Sequence, residues 1–520
     1  MKRRDFLRSG SVLSLPIALG GSNVGVLAQT QLGQLMPENS DRIFVLIQQN
    51  GGNDGLNTII PIDQYGTLTS LRSDILVPEN QILTLTEETG MHPAMPGLKD
   101  VFDEGDLGII QNVGYPNQNR SHFRSTDIWD TGSVATEVLN NGWIGRYLDT
   151  RFPGFPEGYP NEETPHPIAI TLGPTVSETC QGIAANFSLA INDPTALANI
   201  PGTEGGELPD LPYGYELDFI RQVVAQTNIY AEILSATAEA GTNLSQLYPD
   251  PGQNPLADQL KTVAQLISGG LQTKIYVVNI NGFDTHANQV DGGDATTGIH
   301  AQLLANLSEA IHAFMDDIRL QGNDQRVVGA TRSEFGRQIA SNGSLGTDHG
   351  DAAPLMVFGS CVQSQILGDN PTIPNDPGPR SGVPAQIDFK DVFGSILMDW
   401  FGVAENEVSD LFSHDFQHMA LIDPCQTTTA DHLDIHDAFF IRAYPNPFFE
   451  EITAEFNTEG GELRMSLVNE SGQEVLYLGT SFFSPGKQQV SHQISELPAG
   501  HYYYRLQGRQ INKSISLLHF

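Results

Sequence analysis

At 520 residues the chain exceeds one ordinary domain, so a large domain with a smaller companion is expected. Hydrophobic residues at 39% suffice for a core, and a formal charge of −36 repels nucleic acid and anionic lipid, which excludes a DNA- or RNA-binding role. Three cysteines, Cys180, Cys361 and Cys425, allow at most one bridge and a leftover thiol, with no CxxC spacing for a thiolate metal site.

The chain opens Lys2-Arg3-Arg4-Asp5-Phe6-Leu7-Arg8, then runs apolar from Ser11 to Leu27 with small residues before Gln29. A basic start and short apolar core predict an export signal over residues 1–28. Arg3-Arg4 ahead of Phe6-Leu7 resembles a twin-arginine signal; the alternative is a Sec signal with incidental arginines. The body of the chain holds no apolar run of spanning length, so no transmembrane segment is expected.

Residues 29–425 alternate strand and helix patterns. Short, β-branched apolar runs mark strands at 43–47, 107–110, 168–172, 275–278, 326–330 and 355–358. Helical spacing appears from about Leu217 to Ala240, and again through Ile299, Leu303, Leu307, Ile311, Met315 and Ile318, with Glu309, Asp316 and Asp317 on the outer side. Such alternation predicts a three-layer α/β domain with a mostly parallel sheet. Sites in this fold form at the carboxyl ends of the strands.

The polar, chemically capable residues follow the strands. The first strand runs into Gly51-Gly52-Asn53-Asp54-Gly55-Leu56-Asn57, and the second into Asn119-Arg120-Ser121-His122-Phe123. Later strands lead to Gly282-Phe283-Asp284-Thr285-His286 and to Ser333-Glu334-Phe335-Gly336-Arg337, and Gly346-Thr347-Asp348-His349-Gly350 precedes the last strand. Asp, Glu and His converging on one sheet edge form a ligand set for zinc or a related divalent metal, one ion or two. Each piece also has a plainer reading. Asp54 fits a tight turn, Ser121 a helix N-cap, Glu334 with Arg337 a surface pair on a following helix, and Asp348-His349 a loop pair.

Residues 426–440 read as a polar linker. Residues 441–520 then show period-two alternation, as in Leu463-Arg464-Met465-Ser466-Leu467, with turns at Asn469-Glu470-Ser471-Gly472 and Ser484-Pro485-Gly486-Lys487. This predicts a small antiparallel β-sandwich. Tyr444-Pro445-Asn446-Pro447-Phe448, the 469–475 turn and strand, Leu497-Pro498-Ala499-Gly500 and the Lys513 strand resemble the type IX secretion C-terminal sorting domain. The resemblance implies secretion machinery as a partner and passage through the periplasm to the outer surface or medium. The alternative for this module is carbohydrate binding.

In the same way the five ordered motifs, with Asp127-Ile128-Trp129, resemble the secreted domain-of-unknown-function family 1501, which is similar to the alkaline phosphatase and sulfatase superfamily. What that implies is an alkaline phosphatase-like fold and metal-dependent hydrolysis of a phosphate or sulfate ester. The substrate would be a small anionic ester or a sulfated or phosphorylated glycan. By this resemblance Asp54, Asp284, His286, Glu334, Asp348 and His349 are candidate metal ligands, and Ser121 the nucleophile. His122 would be a general acid or a support for the metal. Asn53, Asn57 and Arg120 would hold the oxyanion, and Arg337 would clamp substrate oxygens. Two departures stand out: one residue rather than three separates Asp284 from His286, and Phe335 stands where a His usually follows. They favour an alternative, a non-catalytic surface protein binding a glycan or partner on the same fold.

Overall fold

The structure, a computed structural model, describes residues 41–195, 227–423 and most of 441–519. The export signal and the linker lie outside the described residues, as do residues 217–226 of one predicted helix, whose residues 227–240 are helical. The chain divides into two compact units at Thr427/Thr428.

The first unit contains β1 (Ile43–Asn50), β2 (Ile59–Pro61), β3 (Leu83–Thr84), β4 (Thr89–Met91), β5 (Leu107–Gly114) and β6 (Ala169–Leu172). It continues with β7 (Ser188–Ile191), β8 (Ile275–Asn281), β9 (Val327–Ser333), β10 (Ala353–Phe358), β11 (Gln365–Leu367) and β12 (Ile387–Asp388). Nine strands form one sheet in the order β11-β5-β10-β9-β1-β8-β6-β7, with β12 beside β5, while β2, β4 and β3 form a small antiparallel sheet. β10 runs antiparallel to both neighbours, β9 and β5; the other pairings described in the large sheet are parallel. The short strands β7, β11 and β12, two to four residues each, carry too little apolar sequence to have been anticipated.

The continuous apolar run of β1 follows from burial on both faces. Ile43, Val45 and Ile47 point into one core with Leu98, Leu260 and Leu307; Phe44 and Leu46 point into the other with Trp129, Phe393 and Trp400. Helices α1 (Pro96–Asp103), α4 (Pro255–Ser268) and α5 (Ile299–Leu320) cover the first face, and α2 (His122–Thr131), α3 (Trp143–Arg151) and α6 (Phe389–Phe401) cover the second. Three layers result. α4 starts where Pro255 takes the first helical position and the Asn254 side chain accepts from the Ala257 N–H. On α5, Leu304, Leu307, Ile311, Phe314 and Ile318 are fully buried, each contributing about 1.5–3 kcal/mol of transfer free energy. Asp317, expected on the outer side of α5, is instead buried. Its carboxylate accepts from the Leu244 and Ser245 N–H groups and the Asn243 amide, bonds that offset its desolvation.

The parallel strands β1, β8, β9 and β5 deliver their carboxyl ends to one rim. Because β10 is reversed, the loop entering it, residues 334–352, reaches that same rim. Of the cysteines in this unit, Cys361 is disulfide-bonded and buried Cys180 is free.

The second unit has two antiparallel sheets. β13 (Ile441–Tyr444), β14 (Glu451–Thr458) and β17 (Gly486–Gln493) form one; β15 (Gly461–Asn469), β16 (Glu474–Phe483), β18 (Gly500–Gly508) and β19 (Asn512–His519) form the other. Ile452, Ala454 and Phe456 from the first meet Leu463, Met465, Leu467, Tyr504 and Leu506 from the second in a separate core. Glu462 and Arg464 between them stay exposed, the alternation a sandwich requires.

Candidate metal centre

The rim loops approach one another too closely for side chains at several points, Gly51 and Gly52 among them. Gly51 has φ 123°, and a Cβ there would lie 2.3 Å from the Asp284 nitrogen. Gly52 has φ 81°, and its Cβ would lie 2.3 Å from the Phe335 ring. Only glycine fits either place. Arg337 ties the stacked loops together. Fully buried, it donates to the carbonyls of Gly51, Gly52 (2.7 Å), Phe283 (3.0 Å) and Thr347 (2.9 Å), and to Asp284 Oδ1 (2.8 Å).

Asp284 Oδ1 is the centre of the cluster. His286 Nδ1 lies 2.8 Å from it, His349 Nε2 3.3 Å and His122 Nε2 3.5 Å. His122, Asp284 and His349 each offer one ligand atom, all within 4.8 Å of one another; among the described residues this is the group with metal-holding geometry. The far nitrogens are held from behind. His349 Nδ1 lies 2.7 Å from the Arg120 carbonyl oxygen, and His122 Nδ1 lies 2.9 Å from Glu334 Oε1. A carbonyl only accepts, so His349 Nδ1 carries the proton and a neutral ring presents its Nε2 lone pair to Asp284. Burial, with the charge of Arg337 and the His122 ring, pushes His349 below its ordinary pKa despite that backbone bond. Partial burial opposes the Asp284 charge, but the bond and charge of Arg337, with His286 and His122, outweigh it and hold the carboxyl at about 2. On His349 a nitrogen lone pair therefore faces an ionised oxygen, an arrangement that a shared cation stabilises. The donor set of imidazole and carboxylate fits one divalent ion of the zinc class.

The Phe335 ring lies against His122 and His349, with centroids 5.0 and 4.6 Å apart, and walls the cluster on one side. The Glu334 carbonyl accepts from Ser125 Oγ (2.5 Å), Gln118 Nε2 (3.0 Å) and Trp129 Nε1 (3.0 Å), which fixes the segment carrying the His122 partner.

Other predicted residues stand elsewhere. Asp54 is buried and paired with Arg72, whose two terminal nitrogens each lie 3.0 Å from a carboxylate oxygen; Gln289 donates a third bond. Burial alone would raise Asp54, but the Arg72 charge, with His300 and Gln289, outweighs it and keeps the group ionised. Both Asp54 oxygens are thus engaged by Arg72 and Gln289. Asn53 is buried, its Oδ1 facing Thr58 and His300, and Asn57 is buried with its amide on the Ile75 carbonyl, so neither reaches substrate. Arg120 is taken by Asp351 and the Arg380 carbonyl, and Arg337 by the loop carbonyls, so neither is free to clamp an anion. Asp348 is exposed and accepts from Asn342, away from the cluster. Glu334 stands behind His122 instead of facing the cation position, and no helix follows it. His122, expected as acid or support, contributes a ligand atom. Ser121 is exposed at the N-cap of α2 with no capping bond from its side chain. The sequence reading missed Arg72, Gln289, His300, Ser125 and Trp129. Their only signal was a polar group inside an apolar helical or motif stretch.

A cleft of 770 Å³ opens beside the cluster, lined by His122, Asp284, Glu334, Phe123, Asp127 and Glu178 among others, with no lysine or arginine among the described lining residues.

No curated protein matches the chain. Among solved structures it is similar to a protein in the alkaline phosphatase superfamily from Vibrio parahaemolyticus, at 10% identity over 84% of this chain and 81% of that one, TM-score 0.31. It is also similar to a sulfatase from Pseudoalteromonas sp., at 9% identity over 91% and 88%, TM-score 0.33. A third is a phosphonate monoester hydrolase from Silicibacter pomeroyi, at 10% identity over 92% and 88%, TM-score 0.31. Residues 256–380, which hold Asp284, His286, Glu334, Arg337 and His349, match the family described as protein of unknown function (DUF1501), and residues 442–518 match the secretion system C-terminal sorting domain. Residues 256–380 and 442–518 are thus two stretches of this chain that are similar to known families.

Proposed function

We propose that the first unit is a metal-dependent hydrolase of phosphate or sulfate esters, exported to the cell surface or medium through its sorting domain. The observation that carries it is the pair of imidazole Nε2 atoms aimed at ionised Asp284, each ring held from behind by Glu334 or the Arg120 carbonyl. One divalent ion, zinc by donor type, would be held by His122, Asp284 and His349, with His286 beside them. When bound, it would supply Lewis-acid stabilisation of oxyanion charge and make a nearby hydroxyl easier to deprotonate. The chain's own residues do the rest. Ser121 offers an exposed hydroxyl next in sequence to His122, at the start of a ten-residue helix whose first N–H groups favour negative charge. Arg337 holds Asp284 ionised and in place, and Glu334 keeps the His122 ring turned toward it.

The test is metal analysis of purified protein together with turnover of aryl phosphate and aryl sulfate panels. One tightly held zinc, and turnover lost on Ser121→Ala with the zinc retained, are expected. Full turnover in Ser121→Ala removes the nucleophile assignment; no bound metal after reconstitution removes the hydrolase reading. A second reading, a binding protein without turnover, draws on the absence of lysine and arginine from the described cleft lining, which disfavours a strongly anionic substrate.

A further inference from the structure

A second cavity of 680 Å³ adjoins the first along the carboxyl rim, between the ends of β6, β7 and β8 and the helices α4 and α5. The two share a wall: Asn50 and Asn281, at the paired ends of β1 and β8, line both, and Asn50 Nδ2 donates to Asn281 Oδ1 at 2.9 Å. The second cavity is lined by side-chain amides, among them Asn192, Asn279 and Asn306, alternating with apolar Leu172, Ile191 and Leu303. Asp258, the one charged residue among the described lining, already accepts from the Gly252 N–H. At the far end of the groove, Phe123 presents a 91% exposed ring beside His122.

From this we infer that the two adjoining cavities form one oligosaccharide site for a polyhydroxylated chain, uncharged apart from the ester that it presents at the metal centre. The inference rests on the proposed hydrolase reading only for what happens at that centre. A hydroxyl both donates and accepts, and so does an amide, so a wall of amides can satisfy a run of hydroxyls without any net charge. The leucine, isoleucine and phenylalanine surfaces suit the C–H faces of sugar rings. A densely sulfated chain would meet Asp127, Glu178 and Asp258 with no lysine or arginine among the described residues of either lining to offset them.

The experiment is isothermal titration of the full chain with neutral hexasaccharides of β-glucan, xylan, mannan and galactan type, and with a polysulfated hexasaccharide. Binding of at least one neutral hexasaccharide, weakened roughly tenfold in Asn192→Ala/Asn306→Ala, is expected; that is the loss of one or two hydrogen bonds. Asn192→Trp, which obstructs the groove from an exposed position, should abolish it. Binding of a neutral hexasaccharide with no turnover of any ester would sink the hydrolase reading and leave the groove standing. Turnover of aryl esters with no neutral hexasaccharide bound, or tighter binding of the polysulfated one, would overturn the groove assignment.

Discussion

Glu334 and Asp54 are both acidic residues following a strand, and nothing in their local sequence distinguishes them. The partners do. Asp54 meets Arg72 from a helix 18 residues on, whereas Glu334 turns toward His122. A side chain's chemistry is legible in sequence, but which partner neutralises it is a tertiary property, so the ligand types could be read and the ligand set could not. Because Glu334 orients His122, Glu334→Ala should lower zinc affinity 10–100-fold, with Glu334→Gln restoring much of it since the amide oxygen still accepts; chelator competition measures this. His300 yields a second residue-level expectation. Burial, partly opposed by Asp54, holds its pKa at about 3, far below the value near 6.5 of an unfolded chain. Protons therefore bind the unfolded state preferentially. Stability should be full above pH 6.5 and decline by up to about 1.4 kcal/mol per unit between there and pH 3. Urea titrations from pH 7 to 4 test this; His300→Gln should flatten the slope.

The central strands were legible because a segment buried on both faces is largely apolar, and β1, β5, β8 and β9 each open with an apolar run before polar residues enter toward the carboxyl end. The direction of β10 was not, since a six-residue apolar run reads the same whichever way it points. Its reversal explains why a motif that precedes a strand, His349, joins motifs that follow strands. The Gly51-Gly52 turn is legible as a turn, while its purpose, the near contact with the Phe335 ring and the Asp284 backbone, appears only when the loops are stacked. Gly52→Ala forces a Cβ into the ring at a positive φ. A loss of about 1–3 kcal/mol or more is expected, with release of zinc, read by thermal denaturation and metal content.

For the whole molecule, the change at about residue 427 from strand–helix alternation to period-two strands was visible in composition and pattern. Each unit has its own core: the hydrophobic residues that pack the sandwich all fall between Phe448 and Leu517. Truncation after Thr427 should leave zinc stoichiometry and the melting transition of the first unit unchanged while abolishing surface delivery. Zinc assay, calorimetry and cell fractionation check the three parts separately.

The groups that would grip the proposed cation, His122, Asp284 and His349, come from segments on either side of β8, β9 and β10, so the central sheet has to assemble to bring them together. Metallation of such a site would be a late event, absent from an unfolded chain in transit. Whichever compartment saw the sheet close would also supply the metal from its own inventory. A chain exported folded would be loaded from the cytoplasmic pool, whereas one exported unfolded would take what the exterior offers, and the element found in protein recovered from each route would tell them apart.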